Sequence, residues 1–382
     1  MQQLASGVNT HLADLSNKCI WSAMAVYALA MFAHMFEWTF GSKGAVARRS
    51  AEQASLAETA AAAALPAQSK AKKVTVTVAS ADGGTTTLTR TALAGEGAIV
   101  VTSGRGDGEQ PIDGPGAAGT SERADLFGRI AISLTVLGVL LNAGGVFLRG
   151  LSVMRPPWGN MYEFSCAFAV TMVGAYLILL ALGKPVRWLG LPAVVAACLT
   201  LGLATSVLYT DSEQLVPALH SYWLAIHVST AIVCGGAFYA AFATTALYLG
   251  RESYDRRVAE GLTGGPFRIP ASFWERLPAT ATLDKLSYRI NAMVFPLWTF
   301  TIIAGAIWAE AAWGKYWEWD PKETWSFITW VVYAAYLHAR ATAGWKGRKA
   351  GYLALLAFAC FLFNYYGVNI FVTGKHSYAG VG

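Results

Sequence analysis

Apolar residues along this chain gather into long blocks separated by short polar connections. Blocks close to the ~20 residues that a helix needs to cross a bilayer fall at 19–40, 126–148, 161–183, 187–209, 223–249, 291–312, 325–341 and 350–372. Eight helical spans are predicted. The block at 325–341 is the shortest, and its ends, Trp325 and His338, are polar or interfacial. The first block carries Trp21, Tyr27, Phe32, Phe36 and Trp38 and lacks a basic leader and a small-residue cleavage site. It reads as a retained helix rather than a signal peptide.

The stretch 41–125 breaks this pattern. It is rich in Ala, Gly, Thr and Ser, with an Ala run at 59–64 and Gly-Gly or Gly-Pro steps at 83–84 and 114–116. Residues 73–79 and 85–89 alternate with a period of two, the pattern of a small hairpin. The remainder reads as a poorly ordered, flexible cytoplasmic insert without chemistry of its own. Three regions follow: an N-terminal transmembrane helix at 1–40, the insert at 41–125, and a membrane domain at 126–382.

Composition fits an all-α, polytopic membrane helix bundle. Of 382 residues, 55% are hydrophobic and only 14% charged, where about 25% charged is usual for a soluble domain. That excludes a soluble enzyme. The net charge of +6 sits in the connections, as membrane insertion requires, and no nucleic-acid-binding motif accompanies it. Bases dominate the 184–187 turn, the 250–290 loop and the 341–349 connection, which are therefore assigned to the cytoplasm. An even span count then puts 1–18, 149–160, 210–222, 313–324 and 373–382 outside a plasma membrane. Arg149 and Arg155 run against the rule. The five cysteines lie in or beside apolar blocks and form no C-x-x-C pair, so they are expected to be small buried hydrophobes.

The densest chemical signal is Trp313-Gly-Lys-Tyr-Trp-Glu-Trp-Asp-Pro-Lys-Glu-Thr-Trp325, with Trp330 beyond it: five of the fourteen tryptophans in eighteen residues. An aromatic belt accounts for one or two rings at a helix end. It does not account for Trp313, Trp317, Trp319 and Trp325 interleaved with Gly314, Asp320, Pro321 and Glu323. Such a cluster favours a flat, apolar, aromatic ligand.

This stretch closely resembles the "WWD" signature of the haem-handling proteins of cytochrome c biogenesis, within them the CcsA (CcsB or ResC) type, the membrane subunit of the System II cytochrome c synthase. The resemblance extends to Pro156–Phe164, Tyr222–Val228, Tyr336–Arg340 and Asn369–Tyr378. It implies that haem b is both ligand and substrate, held at an external site by His227 and His376 as axial ligands flanking the tryptophans. It makes His338 an intramembrane haem ligand, opposed by a CcsB/ResB-type partner subunit. Apocytochrome c and thiol-reducing proteins are the other partners it implies, and the active face is extracytoplasmic.

Six histidines occur: His11, His34, His220, His227, His338 and His376. An ionisable residue inside a span is a functional candidate by default, and haem iron is commonly held by imidazole. The predicted topology puts His227 and His376 on the side of the tryptophan loop. His34, in the inner half of its span, is an internal candidate for the ligand opposing His338, with a helix-packing histidine as the alternative; His220 reads as interfacial and His11 as a loop residue. Haem propionates call for cations, with Lys315, Lys322, Arg149, Arg155 and Lys375 available. Asp320 and Glu323 suit loop shaping, capping of the next helix or orienting a ligand imidazole. Asn160 and Glu163 suit either support of the site or a helix start.

The reading that follows is haem transport and presentation for covalent attachment to C-x-x-C-H apocytochromes. No nucleophile from this chain is required, because the substrate brings its own thiols. Rival classes are a transporter of haem or another hydrophobic anion and a b-type electron-transfer subunit.

Overall fold

The computed structural model describes residues 8–62, 74–79, 85–90, 102–104, 122–214, 221–262 and 265–375. The chain divides into two compact units, Met1–Gly44 with Asp113–Gly382, and Ala45–Ile112. Helix α1 covers Thr10–Ala62. The smaller unit also holds strands β1 (Val74–Ala79), β2 (Thr85–Arg90) and β3 (Thr102–Gly104), paired antiparallel in that order. The expected hairpin is β1–β2, with Val76 opposite Leu88. The rest of the expected insert, outside α1 and the three strands, lies outside the described residues.

The larger unit is helical. Its elements are α2 (Glu122–Val153), α3 (Met161–Ala181), α4 (Gly190–Ser206), α5 (Tyr222–Ala259), the short α6 (Ala271–Glu275), α7 (Thr280–Trp313), α8 (Pro321–Ala341), α9 (Arg348–Leu362) and α10 (Val368–Phe371). A π-helical turn, Phe363–Gly367, joins α9 to α10. Apolar sequence of this length has no alternative in lipid, because every backbone donor and acceptor must be satisfied within the chain.

Among the described residues, seven helices are long and apolar enough to cross a membrane, against the eight spans expected. The one that falls short is α8, whose sequence is more polar. Its placement compensates. Its first turn meets the C-terminal segment, where Asp320 Oδ1 accepts from the Lys375 amide at 2.7 Å. Its last turns meet the start of α7, where Arg340 donates to Asp284 at 2.7 and 2.9 Å. So α8 runs the length of the bundle, and its 21 residues cover ~31 Å, close to the hydrocarbon thickness.

Two ends result. The tryptophan end gathers the start of α1, the end of α2, the starts of α3, α5 and α8 and the end of α7. There the Asn9 amide donates to Ser152 O at 2.7 Å and Tyr162 donates to Asn17 at 3.2 Å. The far end carries all three basic connections. The main core between them packs Tyr27, Phe168, Phe238, Trp298, Tyr333 and Phe361. A second apolar cluster, with Trp38, Trp188, Tyr248 and Trp274, closes the far end.

Candidate functional site

The loop after α7 has a shape dictated by its residues. Gly314 ends α7 in the left-handed region at φ 75°, its amide bonded to Glu310 O at 2.8 Å. Trp319 also has a positive φ, 60°. Pro321 then opens α8, and Asp320 with Glu323 forms a capping box. Glu323 Oε2 accepts from the amides of Glu318 (2.9 Å) and Asp320 (3.2 Å), and Asp320 Oδ2 accepts from the Lys322 amide at 3.1 Å. Both carboxylates shape the loop, one of the roles expected of them.

Behind this loop lies a cavity of about 1200 Å³, counting its open mouth. Its walls come from Trp158–Asn160 and the start of α3, α5 at His227, α7, the loop at Tyr316 and Trp317, the first turns of α8 and the last helix. The α7 wall is one helical stripe, Trp298, Ile302, Gly305, Ala309 and Trp313, with Trp308 beside it. Trp308 and Trp313 meet edge to face at 4.9 Å. The cavity is an apolar, aromatic slot with few polar groups, the usual constitution of a small-molecule site.

His227 is the histidine on this wall among the described residues. Its Nδ1 lies 2.8 Å from the Thr301 carbonyl, and its ring runs nearly parallel to that of Trp308, at 17° and 6.3 Å. A carbonyl only accepts, so Nδ1 carries the proton and Nε2 holds the lone pair of the neutral ring. This backbone contact is the kind of outer partner that orients a metal-binding imidazole. Gly305 makes room for it: a Cβ there would sit 2.7 Å from the ring.

Of the other expected site residues, Trp313 and Trp317 line the cavity, whereas Trp319, Asp320 and Trp325 do not. The left-handed turn at Trp319 leaves it 62% exposed, edge-on to Trp317 and Phe327. Trp325 packs on Phe363 at 4.2 Å. His338 is at the far end, exposed on α8, with Nε2 3.2 Å from Thr342 Oγ1. His376 and His220 lie outside the described residues. His34 is fully buried between Glu37 (3.2 Å) and Thr135 (3.4 Å), away from the cavity. His11 is corrected from loop to the first turn of α1, where it is exposed.

The candidate cations sort themselves. Arg149 and Arg155 both bind the buried Glu163, at 3.1 and 2.8 Å, which explains how two bases are tolerated at the tryptophan end. Glu163 also accepts from the Gly159 amide at 2.8 Å, bracing the segment that carries Trp158. Asn160 caps α3 through the Glu163 amide at 2.9 Å and lines the cavity. Lys315 and Lys375 both pair with Glu318, and Lys375 also lies over Trp313 at 5.4 Å. Lys322 alone of the five reaches the cavity wall. The cysteines are buried or half-buried, and none lines the cavity.

Trp158, Trp298 and Trp308 on the wall were not among the expected site residues. The signal for Trp298 was the α7 stripe, whose spacing aligns it with Trp313; Trp308 lies off that stripe and carried no such signal. A family model described as "Cytochrome C assembly protein" matches residues 158–376, a range that holds every cavity-lining residue. "Cytochrome c biogenesis protein CcsA" of Trieres chinensis is 36% identical over 242 residues, covering 58% of this chain and 77% of that protein. The protein of the same name from Gloeothece citriformis is 35% identical over 289 residues (65% and 85%), and that of Gloeobacter violaceus 33% over 302 (68% and 89%).

Proposed function

This chain belongs to the cytochrome c assembly protein family, as a CcsA-type, multi-pass membrane protein of cytochrome c biogenesis, and from that premise we propose that it transports haem b and presents it for covalent attachment. The observation that carries the reading is His227, its tautomer set by the Thr301 carbonyl, on the wall of a tryptophan-lined slot. The donor set suits haem: an apolar slot for the ring, an imidazole lone pair for iron and a cation for carboxylates. His376 supplies the opposing imidazole. It follows directly on Lys375, whose amide is held by Asp320 at the loop.

Attachment adds each thiol S–H of a C-x-x-C-H apocytochrome across a haem vinyl group. Sulfur bonds the carbon next to the ring, hydrogen goes to the terminal carbon, and no electrons leave. This chain contributes positioning and exclusion of water rather than a nucleophile. Trp313 and Trp317 hold the ring face, while Trp319, Asp320 and Trp325 keep the loop in shape. His338, on the outer surface of α8 at the basic end, ligates haem on its way in, with the opposing ligand from a CcsB/ResB-type subunit. Thiol-reducing proteins keep the apocytochrome cysteines reduced. The basic far end faces the cytoplasm and the tryptophan end faces outward across the plasma membrane.

The test is the absorption spectrum of the protein purified with its partner subunit. His227→Ala abolishes the bis-imidazole spectrum, and added imidazole restores it. In coexpression with a C-x-x-C-H substrate, deleting 313–325 abolishes covalent haem; an unchanged yield would refute the synthase role.

A further inference from the structure

Resting on the haem reading above, we propose that Lys322, Ser326 and Asn364 form the seat for a carboxylate of the bound macrocycle. Lys322 donates from Nζ to the Asn364 carbonyl at 2.8 Å and lies 5.9 Å from the Tyr365 ring centre. Among the described residues it has no carboxylate within the 4.0 Å of an ion pair. The neighbouring acids are committed to backbone amides, Asp320 to those of Lys322 and Lys375, Glu323 to those of Glu318 and Asp320. A half-buried ammonium on the cavity wall, near Asp320 and Glu323 but in no ion pair with either, has room for an anion from outside the chain.

Two independent features of the last helix point the same way. The π-helical turn begins beside Asn364 and shifts the hydrogen-bond register, so that the Val368 amide reaches Phe363 O while the Asn364 carbonyl takes the lysine. Such turns recur at functional sites. The Asn364 side chain, only 7% exposed, donates to Ser326 Oγ at 2.9 Å but leaves its Oδ1 buried without a partner. Rotating the amide by half a turn exchanges O and N, an assignment set by the hydrogen-bond network. Ser326 then donates to Oδ1, and the amide NH₂ takes the unpartnered position, on a residue that lines the cavity with Lys322 and Ser326. Two donors on one wall match the two oxygens of a carboxylate. The seat lies on the part of the wall formed by α8 and the last helix, in the same cavity as the α7 stripe that carries Trp298 and Gly305, and it would orient an amphipathic disc by its acidic edge.

The experiment compares iron(III) protoporphyrin IX with its dimethyl ester, which keeps ring, iron and vinyls but has no free carboxylate. Each is titrated into the detergent-solubilised full chain and read by quenching of tryptophan fluorescence. Wild type is expected to favour the diacid by roughly tenfold or more. Lys322→Met should bring the two affinities together while leaving ester binding unchanged, which also reports that the variant is folded. Lys322→Arg, keeping the charge, should retain the preference. A wild-type preference surviving in Lys322→Met, or none in wild type, overturns the seat while leaving the haem reading intact. Loss of ester binding in both lysine variants counts against it too, since the residue would then be structural. Failure of wild type to bind either macrocycle overturns the haem reading itself.

Discussion

Two histidines sit inside the bundle at opposite ends, and each packs against a glycine. His227 rests on Gly305 and His34 on Gly190, where added Cβ atoms would come within 2.7 and 2.3 Å of the rings. Their remaining surroundings differ in kind. His34 is enclosed by side chains: Glu37, itself paired with Arg187 at 3.1 Å, Thr135, and Tyr176 edge-on at 6.3 Å. Arg187 goes on to Asp125 at 3.2 Å, so the far-end cluster ties α1 to α2 and the turn before α4. His227 is anchored at Nδ1 by a backbone carbonyl and borders an open cavity. Burial of an imidazole is thus not the mark of a ligand site. What separates the two is whether the ring is enclosed by side chains deep in the bundle or aimed by a backbone carbonyl on the wall of a cavity.

The largest contrast comes from truncating each ring. His227→Ala is expected to lower covalent haem yield in coexpression by roughly a hundredfold or more, beyond what loss of an outer partner causes. Stability should barely change, because the ring borders a cavity. His34→Ala should do the reverse: a loss of ~2–3 kcal/mol from the buried cluster, seen as a lower unfolding temperature, with haem absorbance per folded protein unchanged. If both variants lost haem equally without unfolding, the distinction between the ends would be wrong.

Glu163→Ala extends the comparison to the charges. At the far end a carboxylate and a guanidinium serve the histidine, whereas at the tryptophan end Glu163 holds two guanidinium groups behind the cavity wall. Removing it strands Arg149, which is 2% exposed, and breaks the bond to the Gly159 amide. A cost of ~3–5 kcal/mol is expected in thermal unfolding. Arg149→Met in the same background should recover part of it, since the stranded charge is then gone. No recovery would show that the loop contact at Gly159, not the charge, carries the effect.

The two glycines probe the same difference at smaller scale. Gly190→Ala forces a methyl into a filled wall of His34 and Tyr176 and should cost ~1–3 kcal/mol by overpacking. Gly305→Ala presses on His227, which has a cavity to move into. Stability should fall by less than ~1 kcal/mol, while haem affinity, measured by spectral titration, drops ~10–100-fold as the imidazole leaves Thr301. Added imidazole should restore the spectrum of the Gly305 variant.

Much of this was legible before any coordinates. Long apolar blocks have one solution in lipid, so the helices follow from composition, and the hairpin at β1–β2 follows from alternation. The tryptophan loop announced itself by density. The sorting of its rings did not, because a left-handed Trp319 and a capping box at Asp320 are conformational facts that turn neighbouring residues in opposite directions. Trp298 and Trp308 were hidden by being ordinary in an apolar span, although the 298–302–305–309–313 spacing encodes the face that Trp298 shares with Trp313. The pairing of Arg149 with Glu163, and of Arg187 with Glu37, joins residues on different elements. No local pattern reports it, so which bases are spent and which remains for a ligand emerges only when the helices are packed. The span at 325–341 was set apart as the shortest, with polar or interfacial ends, and α8 is indeed the one long helix of the bundle not apolar enough to count as a membrane span among the described residues.

The finest test of the comparison concerns the weakest contact. Thr135 Oγ1 donates to Ala131 O at 2.7 Å and stands 3.4 Å from His34 Nε2, a long bond of modest worth. Thr135→Val keeps the shape and removes the hydroxyl, so ~0.5–1 kcal/mol should be lost in chemical denaturation, with the haem spectrum untouched. At the other end the corresponding partner is the Thr301 carbonyl, which no side-chain substitution deletes. Thr301→Val should therefore leave the His227 tautomer and the haem spectrum as they are, despite touching the residue that sets them. A spectral change in Thr135→Val would place His34 on the haem route, and a change in Thr301→Val would mean that the hydroxyl, not the backbone, aims the ring.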